Sequence, residues 1–130
     1  MTGGLPDGRR FTRRQRMGGL SAGMEMILPG RAIEDLANQD ELFHVAYDLD
    51  DRVQVPGTRY IWNSWHYTRD SATPRWSAIR DDRGRIVVAI CHNSDVGDAW
   101  EWADSPQCPE HSASVAYRIG VNYILYSMTH

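Results

Sequence analysis

The sequence predicts an α/β fold, on three observations. The run Ile86-Val87-Val88-Ala89-Ile90 is apolar on both faces of a strand, a pattern that needs cover on both sides of its sheet. The segment from Ser112 onward is apolar around most of a helical circumference, so it must pack within a larger body or against a partner. The chain has 130 residues, of which 42% are hydrophobic and 24% charged, the size and composition of one globular domain with room for a core.

Taken in order, Met1 to Arg16 reads as a disordered basic arm, poor in large aliphatics and carrying Arg9, Arg10, Arg13, Arg14 and Arg16. Residues 17–130 then form a single α/β domain. A first helix starts near Met17 or Leu20, with Leu20, Met24, Ile27 and Leu28 at helical spacing, and Pro29-Gly30 stops it. Ile33 to Leu36 is a brief strand or a turn. Asp40 can cap a helical turn carrying Leu42 and Phe43, with Asn38 as a competing cap. Asp48, Asp50 and Asp51 lack the glycine and distal glutamate of a calcium loop and read as a solvated turn. Tyr60 to Tyr67 mixes aromatic and polar residues, as a loop or edge strand would.

The firmest local prediction is a hairpin. Strands near Arg75 to Arg80 and Arg85 to Ile90 are closed at Asp82-Arg83-Gly84, with Cys91 as the exit. Val87 and Ala89 share one face, and Ile86, Val88 and Ile90 the other. In the last helix Val115, Ala116, Ile119, Tyr123 and Tyr126 make one face. Gly120 marks close packing or a break; the competing reading ends the helix there and makes Tyr123 to Met128 a strand. Arg118, the strong charge of this segment, is expected to pair with a carboxylate.

The buried strand empties into Cys91-His92-Asn93-Ser94-Asp95-Val96-Gly97-Asp98-Ala99-Trp100-Glu101-Trp102-Ala103-Asp104, which holds one imidazole, four carboxylates and two indoles. Polar groups at the C-terminal end of a strand can point into a crevice without being buried in the sheet. His92, Asn93, Asp95, Asp98, Trp100 and Glu101 are therefore the candidate ligand-binding residues. Gly97 lets the backbone turn so that Asp95 and Asp98 face one crevice, and Trp62, Trp65 and His66 are candidates for its opposite wall.

The net charge of −3 gives no electrostatic case for nucleic acid or an anionic membrane. No apolar stretch is long enough to span a bilayer and no signal peptide is evident, which makes a cytoplasmic location the default. Cys91 and Cys108 make neither a disulfide scaffold nor a close metal-binding pair. No cofactor and no catalytic residue is assigned. On an extended strand Cys91 and His92 point to opposite faces, which disfavours a Cys–His nucleophile pair.

The run His92 to Glu101, together with Ala116-Tyr117-Arg118-Ile119-Gly120-Val121-Asn122-Tyr123, resembles the C-terminal part of an uncharacterised bacterial domain-of-unknown-function family. Leu28 to Leu36, Phe43-His44 and Tyr47-Asp48-Leu49 extend the resemblance over roughly Met24 to His130. It implies a partial class I glutamine amidotransferase-like (flavodoxin-like) sheet with flanking helices, in an N-terminally incomplete copy. It implies no reaction, and the glycine-flanked cysteine elbow of amidotransferases does not occur in this sequence.

Three functions follow as expectations. The first is non-catalytic binding of a small polar or glycan-like ligand, or of a protein partner, since indole faces stack on sugar rings while carboxylates accept hydroxyl hydrogen bonds. The alternative is a metal-assisted hydrolase using His92, Asp95, Asp98 and Glu101. The third is an interaction module that docks or self-associates through the apolar C-terminal helix.

Overall fold

The computed structural model describes residues 13–57 and 73–130. The chain divides into two units, Met1–Ala32 and Ile33–His130. In the first, helix α1 spans Arg13–Ile27, so helical backbone already covers the last residues assigned to the basic arm. It ends as its sequence requires. Gly30 takes a positive φ of 70°, and its N–H donates to Glu25 Oε1 at 2.9 Å, in front of which proline leaves no helical donor.

The second unit runs β1 (Glu34–Asp35), a 3-10 turn (Glu41–Phe43), β2 (Arg75–Arg80), β3 (Ile86–His92), α2 (Val96–Glu101) and α3 (Glu110–Thr129). The strands form a sheet in the order β1-β2-β3, with antiparallel pairing at both junctions. Among the described residues the architecture is thus an open three-stranded antiparallel sheet flanked by helices, consistent with a partial α/β fold.

The β2–β3 hairpin closes where the sequence places it. Gly84 N–H donates to Asp81 O at 3.0 Å, Gly84 adopts φ 78°, and Asp81 Oδ1 accepts the N–H groups of Arg83 and Arg85. The strand continues past Cys91 to His92. A bulge beside Arg80 corrects the expected face assignment, because an extra residue resets the alternation. Ile86 joins Ala89 and Cys91 against the core, rather than sharing the face of Val88 and Ile90.

Leu42 and Phe43 of the 3-10 turn, Trp76 of β2, Val96 and Ala99 of α2, and Val115, Ala116, Ile119 and Tyr126 of α3 make this core. Asp40 caps the 3-10 turn as expected, accepting Leu42 N–H at 3.1 Å. Helix α3 begins two residues before Ser112 and passes unbroken through Gly120, which excludes the strand reading of Tyr123 to Met128. Gly120 marks close packing instead: a Cβ there would lie 3.1 Å from Trp100 Cζ2. The outer stripe of α3, Tyr117, Val121, Ile124 and Met128, is exposed. Arg118 differs from expectation, lying over the Tyr47 ring, 5.6 Å from its centroid, so an aromatic face takes the place of the anticipated carboxylate.

Of the three aspartates after Tyr47, two engage His44. Its Nδ1 lies 2.9 Å from Asp48 Oδ1, its Nε2 is 2.7 Å from Asn38 O, and Asp50 Oδ1 is 3.9 Å from Nε2. Both hydrogen-bond partners are acceptors, so only the imidazolium satisfies the two at once. The Asp48 bond first, then the Asn38 carbonyl, raises the His44 pKa above 6.5. With a folded-state pKa above the unfolded value, the stabilisation is complete below about pH 6.5 and is lost as pH rises through the folded pKa. Unfolding of the wild type compared with His44→Ala should therefore differ most at mildly acidic pH and converge in alkaline buffer. An NMR titration of the His44 ring should give a midpoint above 6.5.

Candidate functional site

The candidate segment starts where β3 ends. Asn93 takes φ 57°, the left-handed region that asparagine tolerates better than most residues. The sharp turn expected at Gly97 is therefore made at Asn93, and Gly97 lies inside α2. The strap Gln54 to Gly57 fixes the exit. Gln54 Nε2 donates to Asn93 O at 2.7 Å, Val55 N–H to Ser94 Oγ at 2.8 Å, and Asp95 N–H to Val55 O at 2.8 Å.

Asp95 and Asp98 do come together. Asp95 Oδ1 caps α2 by accepting Asp98 N–H at 3.2 Å, satisfying one of the helix's free N-terminal donors. Both carboxylates lie over Gly57: a Cβ at that position would be 2.9 Å from Asp95 Oδ2 and 3.3 Å from Asp98 Oδ2. Glycine at position 57 is what lets the strap approach so closely.

His92 goes elsewhere. Cys91 packs against the core, so its neighbour points to the opposite face of the sheet. There His92 Nε2 meets Ser77 Oγ at 3.1 Å, Ser77 Oγ donates to Asp35 Oδ1 at 3.0 Å, and Arg75 donates to Asp35 Oδ2 at 2.6 Å. This polar line crosses all three strands. It has the residue types of a hydrolytic triad in a different order: Asp35 accepts from the buried Ser77 hydroxyl, whereas in a triad the carboxylate orients the histidine. Burial pushes the Cys91 thiol up to about 12, which disfavours the thiolate at neutral pH.

Trp100 occupies a third place. Residues two apart on a helix point nearly opposite ways, and Trp100 turns from Asp98 onto α3. Its Nε1–H donates to Ala116 O at 2.8 Å and its ring lies over Gly120. Trp100 remains 41% exposed and Tyr117 52%, with the Tyr117 hydroxyl donating to Trp100 O at 3.4 Å. The result is a shelf of two aromatic side chains, its indole held at the N–H and open on its outer side. Glu101, next in the chain, is exposed, and Trp102 is half-buried.

The structure thus brings Asp95 and Asp98 together, sets His92 and Asn93 at the strand exit, and carries Trp100 to α3. Trp62, Trp65 and His66 lie outside the described residues. Among the described residues no three His, Cys, Asp or Glu side chains converge to hold a metal ion, which argues against the metal-assisted hydrolase. Sequence reasoning missed Asp35, Ser77 and Tyr117. The first two become visible only with the strand register, in which Asp35 pairs with Ser77, and Tyr117 only with the seating of α2 on α3.

An antiparallel sheet, a helical cover and an aromatic shelf on the helix that follows β3 define a small α/β domain. The chain belongs to the family described as Domain of unknown function (DUF4159), whose model matches residues 7–128. No curated protein matches the chain, and no solved structure does. No helix among the described residues is long and apolar enough to cross a membrane.

Proposed function

We propose that this chain is a non-catalytic binding domain for a small polar or glycan-like ligand, with Trp100 as the stacking surface. One observation carries the reading: an exposed indole whose N–H is already satisfied within the fold. Such a ring offers its open side to a sugar at little entropic cost, since it is positioned before the ligand arrives. Tyr117 widens the shelf, and Glu101 supplies an acceptor for sugar hydroxyls. The amidotransferase-like assignment is part of this proposal. On that reading the β2–β3 hairpin is the antiparallel margin of a mostly parallel sheet, a common feature of doubly wound folds.

Titration of the chain with a panel of neutral and acidic oligosaccharides, followed by tryptophan fluorescence, tests the binding reading. A saturable change that Trp100→Phe abolishes, in a variant that retains cooperative unfolding, supports it. Equal responses from wild type and variant, or none across the panel, reject it; a protein ligand recovered on the same shelf would replace the glycan.

A further inference from the structure

Elsewhere in the unit Ile33–His130, carboxylates draw on the chain's own cations. Asp35 holds Arg75 at 2.6 Å, Arg80 meets Glu34 and Asp40, Asp81 holds Arg85 at 2.6 Å, and His44 and His130 engage Asp48 and Glu41. Around the Trp100–Tyr117 shelf the pattern stops. No Arg or Lys occurs from Ile86 to Tyr117, a stretch that holds Asp95, Asp98, Glu101, Asp104 and Glu110. Glu101, Asp104 and Glu110 are exposed, and among the described residues none of these three forms an ion pair. Glu101 ends α2 and Asp104 lies in the turn after it, at the end of the helix where the Trp100 carbonyl accepts the Tyr117 hydroxyl. Glu110 shares the Tyr117 face of α3, about two turns nearer its start. The rings show the same contrast. The Arg52 guanidinium lies 3.6 Å from the Phe43 centroid and 5.0 Å from that of Trp76, and Arg118 covers Tyr47. Trp100, the ring type that attracts a cation most strongly, has no guanidinium over it among the described residues.

Given the glycan reading, on which this rests, we propose that the ligand of the shelf is a saccharide bearing free amino groups. Its ring stacks on Trp100, and its ammonium groups are held by Glu101 and Asp104. An exposed indole suits any sugar ring, so stacking alone does not choose among them. Charge does. An ammonium group at the shelf gains from the indole face and from carboxylates that no described cation neutralises. A neutral sugar gains only the stacking and the hydroxyl hydrogen bonds, and a uronic acid meets like charge. Glu110, farther along the Tyr117 face, adds to the negative field that draws a cationic oligomer in.

Calorimetric titration of the full chain with glucosamine oligomers, in a mildly acidic buffer that keeps their amines protonated, tests the charge preference. N-acetylglucosamine oligomers of the same length are the comparison, since they carry acetyl groups in place of the charges. The free-amine oligomer should bind about tenfold more tightly, the combined scale of an exposed cation–π contact and exposed ion pairs. That ratio should shrink toward one in high salt, which screens exposed charges, and in the double variant Glu101→Gln, Asp104→Asn. Trp100→Phe should remove the response to both oligomers. Equal affinity for the two oligomers, with Trp100 still required, overturns the amino-sugar assignment and leaves the glycan reading standing. A free-amine preference unchanged in both high salt and the double variant does the same. No response to either oligomer overturns both. Binding of a peptide with the sequence of Arg9 to Arg16, where neither saccharide binds, would assign the shelf to a basic protein segment and also overturn both.

Discussion

Replacing Asn122 by leucine should destabilise the unit Ile33–His130 by about 3 kcal/mol or more, the sum of several buried backbone groups left without partners. Asn122 is fully buried and uses both ends of its amide. Its Oδ1 accepts Tyr47 N–H at 2.9 Å, while Nδ2 donates to Leu42 O at 3.1 Å and to Tyr47 O at 2.9 Å. One side chain of α3 thereby fixes both ends of the segment Leu42 to Tyr47. Leucine matches the volume but supplies none of the three bonds. Asn122→Asp keeps the acceptor and loses the two donations, bringing a buried charge toward two carbonyl oxygens. Chemical denaturation should therefore show both variants well below the wild type. A loss under 1 kcal/mol in both would show that this amide does not secure the segment.

Trp76→Ala should cost about 3–5 kcal/mol, the range for deleting a buried aromatic side chain. Trp76 is the largest side chain that the sheet contributes to the core. It meets Phe43 edge-to-face with centroids 5.7 Å apart, donates Nε1–H to the Tyr123 hydroxyl at 2.7 Å, and has the Arg52 guanidinium 5.0 Å from its ring. Trp76→Phe retains much of the packing but strands the Tyr123 hydroxyl, so its loss should fall between wild type and alanine. Thermal unfolding of the three proteins checks the order.

The local structure was legible where a short stretch of sequence determines it. Asp82-Arg83-Gly84 closes the hairpin because glycine alone enters a positive φ freely and Asp81 can gather the turn's amides. Pro29-Gly30 ends α1, and Asp40 caps its turn, for equally local reasons. Long-range matters were not legible. The antiparallel pairing of β1 with β2 and the role of Asn122 depend on partners dozens of residues away, and the bulge that moves Ile86 to the core face is a register irregularity beside Arg80 that strict alternation does not reveal. At the candidate site, the pairing of Asp95 with Asp98 follows from capping chemistry that their spacing reveals. The separation of His92 from Trp100 does not, because it arises from strand alternation at Cys91 and from the docking of α2 on α3.

The most direct test of the binding account is an NMR titration of the chain labelled at the indole nitrogens of its 5 tryptophans. On adding an oligosaccharide, the Trp100 resonance should shift saturably and more than the Trp76 resonance, whose indole lies in the core. A Trp100 signal unmoved across the saccharide panel, or one that moves only in step with Trp76, would contradict the claim that this shelf is a ligand surface.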